Sequence, residues 1–309
     1  MRRLTHSNPA FKRYMQMSQG TRVFVFVEGF ETDPYFYGQL CEQVFGTAGC
    51  TYEIVGGWRL AQTGGKTVLL DFHRYLATTN SLVHVFQGKF SLALFFLDKD
   101  IDDLLHSIVP SDYIVYTEYH SVENYLFVHG DIVKAAAAAS SIEERELTAI
   151  IGDPEIWRPA QAVLWKDWVT FCVLVQKYGI PHQCSFRLAA STLNTPPDRA
   201  ADPATVELYR QELEARSGMT PARFRKAYQA VARLVSSIYA RKEHDRVFKG
   251  NWYLRLLEIA IERTAAGRPY NSHGISNRLQ GAVASTVDFS AEWAEHFREP
   301  MRGLLARVV

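Results

Sequence analysis

The sequence lacks several signals that would assign a chain to a functional class at once. Its four cysteines (Cys41, Cys50, Cys172 and Cys184) form no C-x-x-C pair, which argues against a zinc finger or a dithiol redox motif. No run of 18 apolar residues occurs, so we expect no membrane span. The polar, basic beginning lacks the apolar core of a signal peptide, and scattered thiols without such a signal predict a cytoplasmic location.

Charge and common hydrolase motifs also say little. The net charge is +1, with 34 Lys and Arg against 33 Asp and Glu, so the whole molecule has no field that steers it to nucleic acid. The ten histidines include no H-E-x-x-H pattern, and no G-x-S-x-G nucleophile elbow occurs. A chain of 309 residues with 47% hydrophobic residues is long enough for one large core or two modest ones.

The pattern that is present changes along the chain. Strand-like apolar runs first alternate with segments of helical periodicity, which predicts an α/β fold with a mostly parallel sheet flanked by helices. Helices alone are predicted after residue 130, apart from a proline-rich loop at 193–203. We therefore predict an α/β domain at 1–130 and a helical domain at 131–309, the second serving association and contact with substrate or partner. The predicted strands span 22–27, 51–55, 92–97 and 113–117, and the predicted helices span 34–45, 66–76, 131–151, 154–178, 204–217, 221–241, 252–264 and 290–308.

Acidic residues follow two of the predicted strands. Glu28-Gly29 comes directly after the run 22–27, and Asp98-Lys99-Asp100 comes directly after the run 92–97. Ligands of open α/β sheets bind at the carboxyl ends of the strands, and residues two apart in extended backbone point the same way. We therefore expect Glu28, Asp98 and Asp100 to converge at one edge of the sheet. The alternative is that the two aspartates are only loop residues before a helix.

Converging carboxylates without a basic partner repel one another, and a hard cation relieves that repulsion. Mg²⁺ prefers oxygen ligands and keeps several waters, and Mn²⁺ accepts the same set. Such an ion can polarise a phosphate, orient a water and offset charge on a leaving oxygen. The constellation therefore predicts a metal site for cleavage or transfer of a phosphodiester.

The acidic pattern resembles that of the Toprim fold of primases, topoisomerases and old-family nucleases. In that fold a glutamate follows the first strand and an Asp-x-Asp follows a later strand, as Glu28 and Asp98-Lys99-Asp100 do here. More narrowly, the chain resembles a bacterial Toprim-like family that includes the effector nuclease of the PARIS anti-phage defence system. Four segments carry the narrower resemblance, namely 27–37, 96–102, 120–126 and 248–254.

The resemblance implies a magnesium-dependent endonuclease with Glu28, Asp98 and Asp100 at its metal site. It also implies a fourth acidic residue, Glu123, and a lysine that contacts substrate or aids catalysis, Lys249. For the family it implies an RNA-directed toxin that acts on transfer RNA as a homodimer. An ABC-type ATPase partner is implied to hold that toxin silent until infection. The family's second acidic position after Glu-Gly is not matched, because Glu31 lies one residue before it and Asp33 one after.

Three further residues each have a structural explanation as well as a functional one. Gly64-Gly-Lys-Thr67 lacks the first glycine of a P-loop, so we predict a glycine turn before a helix, with Lys66 as a secondary phosphate contact. Glu123 is either a fourth metal ligand or a glutamate that favours a helix start. Lys249 lies in the most basic and aromatic stretch, which suits nucleic acid, although such a stretch is more commonly a solvated helix face with core aromatics.

Two other functions remain open from the sequence. The first is a non-catalytic metal-binding subunit whose helical half docks on an ATPase. The second is a Toprim nuclease directed at DNA, like the old-family enzymes. The nature of the nucleic acid, the number of metals and the oligomeric state are not determined by these patterns.

Overall fold

The computed structural model of the chain describes residues 6–18, 22–190, 193–265, 270 and 272–308. Strands and helices alternate up to residue 116, and helices predominate beyond it. The strands are β1 (Arg22–Val27), β2 (Thr51–Gly56), β3 (Val83–Phe86), β4 (Lys89–Leu97) and β5 (Ile114–Tyr116). The helices are α1 (Asn8–Gln16), α2 (Asp33–Cys41), α3 (Lys66–Thr78), α4 (Asp102–Leu105), α5 (Val122–His129), α6 (Ile132–Ser140), α7 (Glu144–Ile151), α8 (Pro154–Leu164), α9 (Lys166–Tyr178), α10 (Pro203–Arg216), α11 (Pro221–Ala240), α12 (Gly250–Thr264), α13 (Ile275–Ser285) and α14 (Glu295–Leu305).

The five strands form one mostly parallel sheet, so the predicted α/β class is confirmed. β1 pairs in parallel with β2 on one side and with β4 on the other, and β5 pairs in parallel with the end of β4. β3 is the exception, because it forms an antiparallel hairpin with the start of β4. The hairpin turn uses Gln87 and Gly88, both with positive φ, and such a local turn joins only antiparallel strands. This edge strand was not predicted.

Contacts divide the chain into two compact units. The sheet unit comprises Met1–Lys99, Ile108–Glu118 and Asp288–Val309, and the helical unit comprises Asp100–Ser107 and Tyr119–Val287. These units differ from the predicted division at residue 130. The chain leaves the sheet unit directly after Lys99, returns to it for the segment that contains β5, and returns again for its last helix.

Aromatic side chains cover both faces of the sheet. On one face, Phe26 and Phe95 stack with ring centroids 4.7 Å apart and pack against Phe11 of α1 and Phe72 of α3. Alternate residues of a strand point to opposite faces, so Phe96 belongs to the other face. β1 and β4 are buried almost throughout, as expected of central strands with helices on both sides.

The last helix, α14, packs on the second face of the sheet. Phe96 stacks on Tyr37 of α2, with ring centroids 4.3 Å apart, and both rings contact Phe297 of α14 at 5.9–6.0 Å. This helix therefore belongs to the sheet unit, although it lies within the range 131–309 predicted as a helical domain.

The helical unit is built around α12. This helix packs against α5, α7 and α13, and α11 packs against α9. Two segments predicted as single helices are each divided in two. Ser141, with a φ of 62°, ends α6 before α7 begins, and Trp165 separates α8 from α9. Within the described part of the chain, no helix is long and apolar enough to cross a membrane.

Removal of the Phe95 ring tests the core of the sheet unit. Phe95→Ala deletes a fully buried ring between Phe26, Phe72 and His73, so we expect the free energy of unfolding to fall by about 3–5 kcal/mol. Phe86→Ala is the matched control, because Phe86 is 63% exposed on β3, and it should change that free energy by less than about 0.5 kcal/mol. Urea denaturation followed by circular dichroism measures both. Equal losses in the two variants would contradict the described core.

Candidate functional site

Glu28 and Asp98 lie together at the carboxyl edge of the sheet unit. The last residue of β1, Val27, pairs with Phe96 of β4, so the residues that follow the two strands are neighbours. The backbone N–H of Asp98 donates a hydrogen bond of 2.9 Å to Oε1 of Glu28. Both residues are partly exposed. The Glu28 carboxylate and the backbone of Asp98 are therefore in contact within this unit, and their sharing of a metal ion stays a prediction.

A tight turn directs Glu28 out of the strand. The backbone N–H of Gly29 donates to Oδ2 of Asp33 at 2.7 Å, and a Cβ atom on Gly29 would lie only 2.8 Å from the other carboxylate oxygen of Asp33. Gly29 therefore lets the Asp33 carboxylate approach the backbone closely. Asp33 is buried at the start of α2, where a negative charge is favourable. The structure thus gives Asp33 a role in the turn, whereas Glu31 is exposed beside it.

Asp100 does not have the extended backbone on which its predicted alignment with Asp98 was based. Its φ is +51°, a left-handed conformation that aspartate tolerates better than most residues. The turn is held by a hydrogen bond of 2.8 Å from the Asp100 N–H to the carbonyl of His120. In the helical unit, Oδ1 of Asp100 lies 3.6 Å from Nδ1 of the buried His120.

Glu123 is in the first turn of α5, as expected of a glutamate that favours a helix start. Its carboxylate accepts a hydrogen bond of 2.6 Å from the hydroxyl of Ser121, the residue that caps this helix. Asn124 completes the cap, because its Oδ1 accepts from the backbone N–H of Ser121 at 3.1 Å. The contacts of Glu123 therefore account for it as part of a helix start, and its role as a metal ligand stays a prediction.

The side-chain amide of Asn124 also fixes the backbone on both sides of Lys249. Its Nδ2 donates to the carbonyl of Phe248 at 2.8 Å, and its Oδ1 accepts from the N–H of Gly250 at 3.0 Å. A Cβ atom on Gly250 would lie 2.4 Å from the backbone nitrogen of Asn124. A glycine is therefore needed where α12 begins against α5, and the backbone on either side of Lys249 is held by Asn124.

The buried Asp245 holds the side chain of Asn124 in place, and it was not identified from the sequence. Its carboxylate accepts hydrogen bonds from Asn124, Tyr253 and Arg158, at 3.2, 2.9 and 3.2 Å. Burial raises the pKa of Tyr253 well above its usual value, and the charge of Asp245 raises it further, so the hydroxyl stays a donor. The carbonyl of Asp245 also accepts from the N–H of His120. An aspartate in a basic stretch has no distinctive signal in the sequence.

A cavity of about 480 Å³ in the helical unit brings two predicted site residues together. Asp100 and Lys249 both line it, beside His120. His182 and Arg187, which the sequence did not single out, line it as well. These two precede α10 in an irregular segment, so no periodicity relates them to the other lining residues.

Lys66 begins α3 after a glycine turn, as predicted. Gly64 and Gly65 have φ values of 58° and 82°, which few other residues adopt. The loop that contains them follows the carboxyl end of β2, the edge at which Glu28 follows β1. Lys66 therefore follows the same edge of the sheet as Glu28 and Asp98.

Among the described residues, no group of three or more His, Cys, Asp or Glu side chains is placed to hold a metal ion. No protein-family model matches the chain, and no curated protein matches it.

Substitution of Gly250 tests the packing that holds Lys249. Gly250→Ala places a methyl group against the backbone of Asn124, so we expect the free energy of unfolding to fall by about 1–3 kcal/mol. Gly281→Ala is the matched control in α13, where the space around the new Cβ is open, and it should be neutral or stabilising by up to about 1 kcal/mol. Thermal and urea denaturation compare the two. A Gly250→Ala protein as stable as the control would contradict the close contact.

Proposed function

We propose that the protein is a Toprim-like endonuclease that requires Mg²⁺ or Mn²⁺ and cleaves RNA, with transfer RNA as the first candidate substrate. The observation that carries the proposal is the hydrogen bond from the Asp98 N–H to the Glu28 carboxylate, at the carboxyl ends of two adjacent parallel strands. This edge is where open α/β sheets bind their ligands. The order of a glutamate after the first strand and an Asp-x-Asp after a later one is the Toprim order.

The residues at this edge suit a hard divalent cation. Mg²⁺ in proteins is commonly held by one or two carboxylates, with waters and substrate phosphates as its other ligands. Glu28 and Asp98 would supply the carboxylates, and the Toprim pattern adds Asp100, with Glu123 as a further candidate. When bound, the ion neutralises charge on phosphate oxygens and lowers the pKa of a coordinated water.

The chain itself supplies the other functions that hydrolysis of a phosphodiester needs. Glu28 is a ligand or the general base that accepts a proton from the attacking water. Lys249 and Lys66 offer positive charge to phosphates of the substrate, which positions the backbone of a nucleic acid without reading its sequence. Neither lysine is required for the acid–base step.

Contacts between the segments that resemble the PARIS effector family support the narrower proposal. The first segment touches the second through Glu28 and Asp98. In the helical unit, the end of the second segment touches the third through Asp100 and His120, and the third touches the fourth through Asn124 and Gly250. Segments far apart in sequence are thus neighbours in space. From the family resemblance we further propose an anti-phage toxin that an ABC-type ATPase partner holds silent.

Glu28→Gln is expected to abolish RNA cleavage while the protein stays folded. The change is nearly isosteric, but it removes the charge that a metal ion or a proton transfer requires. Asp98→Asn should also abolish RNA cleavage without unfolding the protein. Glu31→Gln is the matched control in the same turn, because Glu31 is exposed and forms no ion pair with a described residue. The assay is cleavage of purified transfer RNA in Mg²⁺ and in EDTA, after thermal melting of each variant.

The same assay separates the proposal from its alternatives. A folded Glu28→Gln protein that cleaves at the wild-type rate would refute the site. Cleavage of plasmid DNA but not of transfer RNA would indicate a DNA-directed Toprim nuclease. Metal binding without cleavage of either would indicate a non-catalytic subunit of an ATPase complex.

Self-association is the second part of the proposal that can be measured directly. An active homodimer should have twice the 35.1 kDa mass of one chain in size-exclusion chromatography with light scattering. The family resemblance is the basis of this expectation. A mass of one chain at high protein concentration would remove the dimer and leave the proposed ATPase contact untouched.

A further inference from the structure

The cavity in the helical unit has basic side chains whose charge no neighbouring carboxylate offsets. Among the described residues, neither Lys249 nor Arg187 takes part in an ion pair or a side-chain hydrogen bond. The one carboxylate in the lining is that of Asp100, which lies 3.6 Å from His120. Unpaired cations that share a concave surface attract an anion from solution. The start of α12 at Lys249 adds the positive end of a 15-residue helix.

The size and walls of the cavity suit one nucleotide. Its volume of about 480 Å³ falls within the usual range of small-ligand pockets. Phe186 forms part of the wall and stacks on Trp252, with ring planes 13° apart and centroids 5.7 Å apart. The remaining lining includes polar side chains that can donate or accept hydrogen bonds, among them Gln176, His182 and Ser185.

Several contacts hold this wall in place. His182 accepts a hydrogen bond of 3.0 Å from the N–H of Cys184, and the thiol of Cys184 lies 3.6 Å from that of Cys172. Burial raises the pKa of Cys172 well above its usual value, so this thiol stays neutral and serves packing. The backbone of Lys249 is held by Asn124. A pocket formed before binding loses little ordering entropy when a ligand enters.

We propose that this cavity binds one nucleotide of the RNA substrate, with Arg187 and Lys249 holding its phosphate. The inference rests on the proposed nuclease function and adds Arg187 as a binding residue outside the acidic edge. Arginine presents a planar fork that matches two phosphate oxygens, whereas lysine supplies a single compact charge. Asp100 lines the same cavity.

Binding of nucleotide without metal tests the cavity separately from cleavage. Isothermal titration calorimetry in EDTA would compare adenosine and uridine monophosphate with inorganic phosphate, using the full-length protein. Each nucleoside monophosphate should bind more tightly than inorganic phosphate, since the walls contact base and sugar. Arg187→Ala and Lys249→Ala should each weaken binding about ten- to a hundredfold, the loss of a charge-assisted contact. Arg187→Lys should be intermediate, because it keeps the charge and loses the fork.

Two controls complete the experiment. Arg225→Ala removes an exposed arginine of α11 that does not line the cavity, so it should bind nucleotide as the wild type does. Glu28→Gln should also bind as the wild type does, although it should not cleave. Raising the salt concentration should weaken wild-type binding and affect Arg187→Ala less.

The outcomes for the cavity and for the nuclease are distinguishable. Wild-type protein that binds no nucleotide at millimolar concentration, or Arg187→Ala and Lys249→Ala proteins that bind with wild-type affinity, would overturn the inference. Equal affinity for inorganic phosphate and nucleotide would overturn its nucleotide part. Loss of binding in both cavity variants supports it, even if Glu28→Gln proves to cleave and the acidic site is refuted.

Discussion

Strand β1 is paired along its whole length with β2 on one side and with β4 on the other, and both pairings are parallel. Its residues from Val23 to Val27 are fully buried, so its position in the sheet cannot shift without exposing apolar surface. Parallel strands end at a common edge, and this is why Glu28 meets the backbone of Asp98. An antiparallel neighbour would have placed the residue after its last position at the opposite edge of the sheet.

The helical unit depends in a similar way on one buried amide. Asn124 caps the start of α5 and binds the backbone on either side of Lys249, and Asp245 holds the amide in turn. Every polar atom of the Asn124 side chain is therefore used. Buried networks that are fully satisfied specify one arrangement, because any other leaves polar groups without partners. The arrangement found here sets one wall of the basic cavity.

The residues of the candidate site were recognisable from sequence to very different degrees. Glu28 and Asp98 follow strongly apolar strands, so their neighbourhood could be inferred from pattern and strand direction. Asp100 also follows such a strand, but its left-handed backbone depends on a hydrogen bond to His120 that no local pattern reveals. Arg187 lies in an irregular segment, and irregular segments have no period from which a neighbour can be deduced.

The sequence by itself determined the buried strands, most of the helices and the edge of the sheet at which acidic residues collect, since each depends on local apolar period and strand direction. Only the tertiary structure decided which elements belong together. It assigned α14 to the sheet through Phe297, and it gathered Lys249 and Arg187 around one cavity. Such contacts join residues far apart in the chain, and packing selects them through shape and buried area, which no short stretch of sequence encodes.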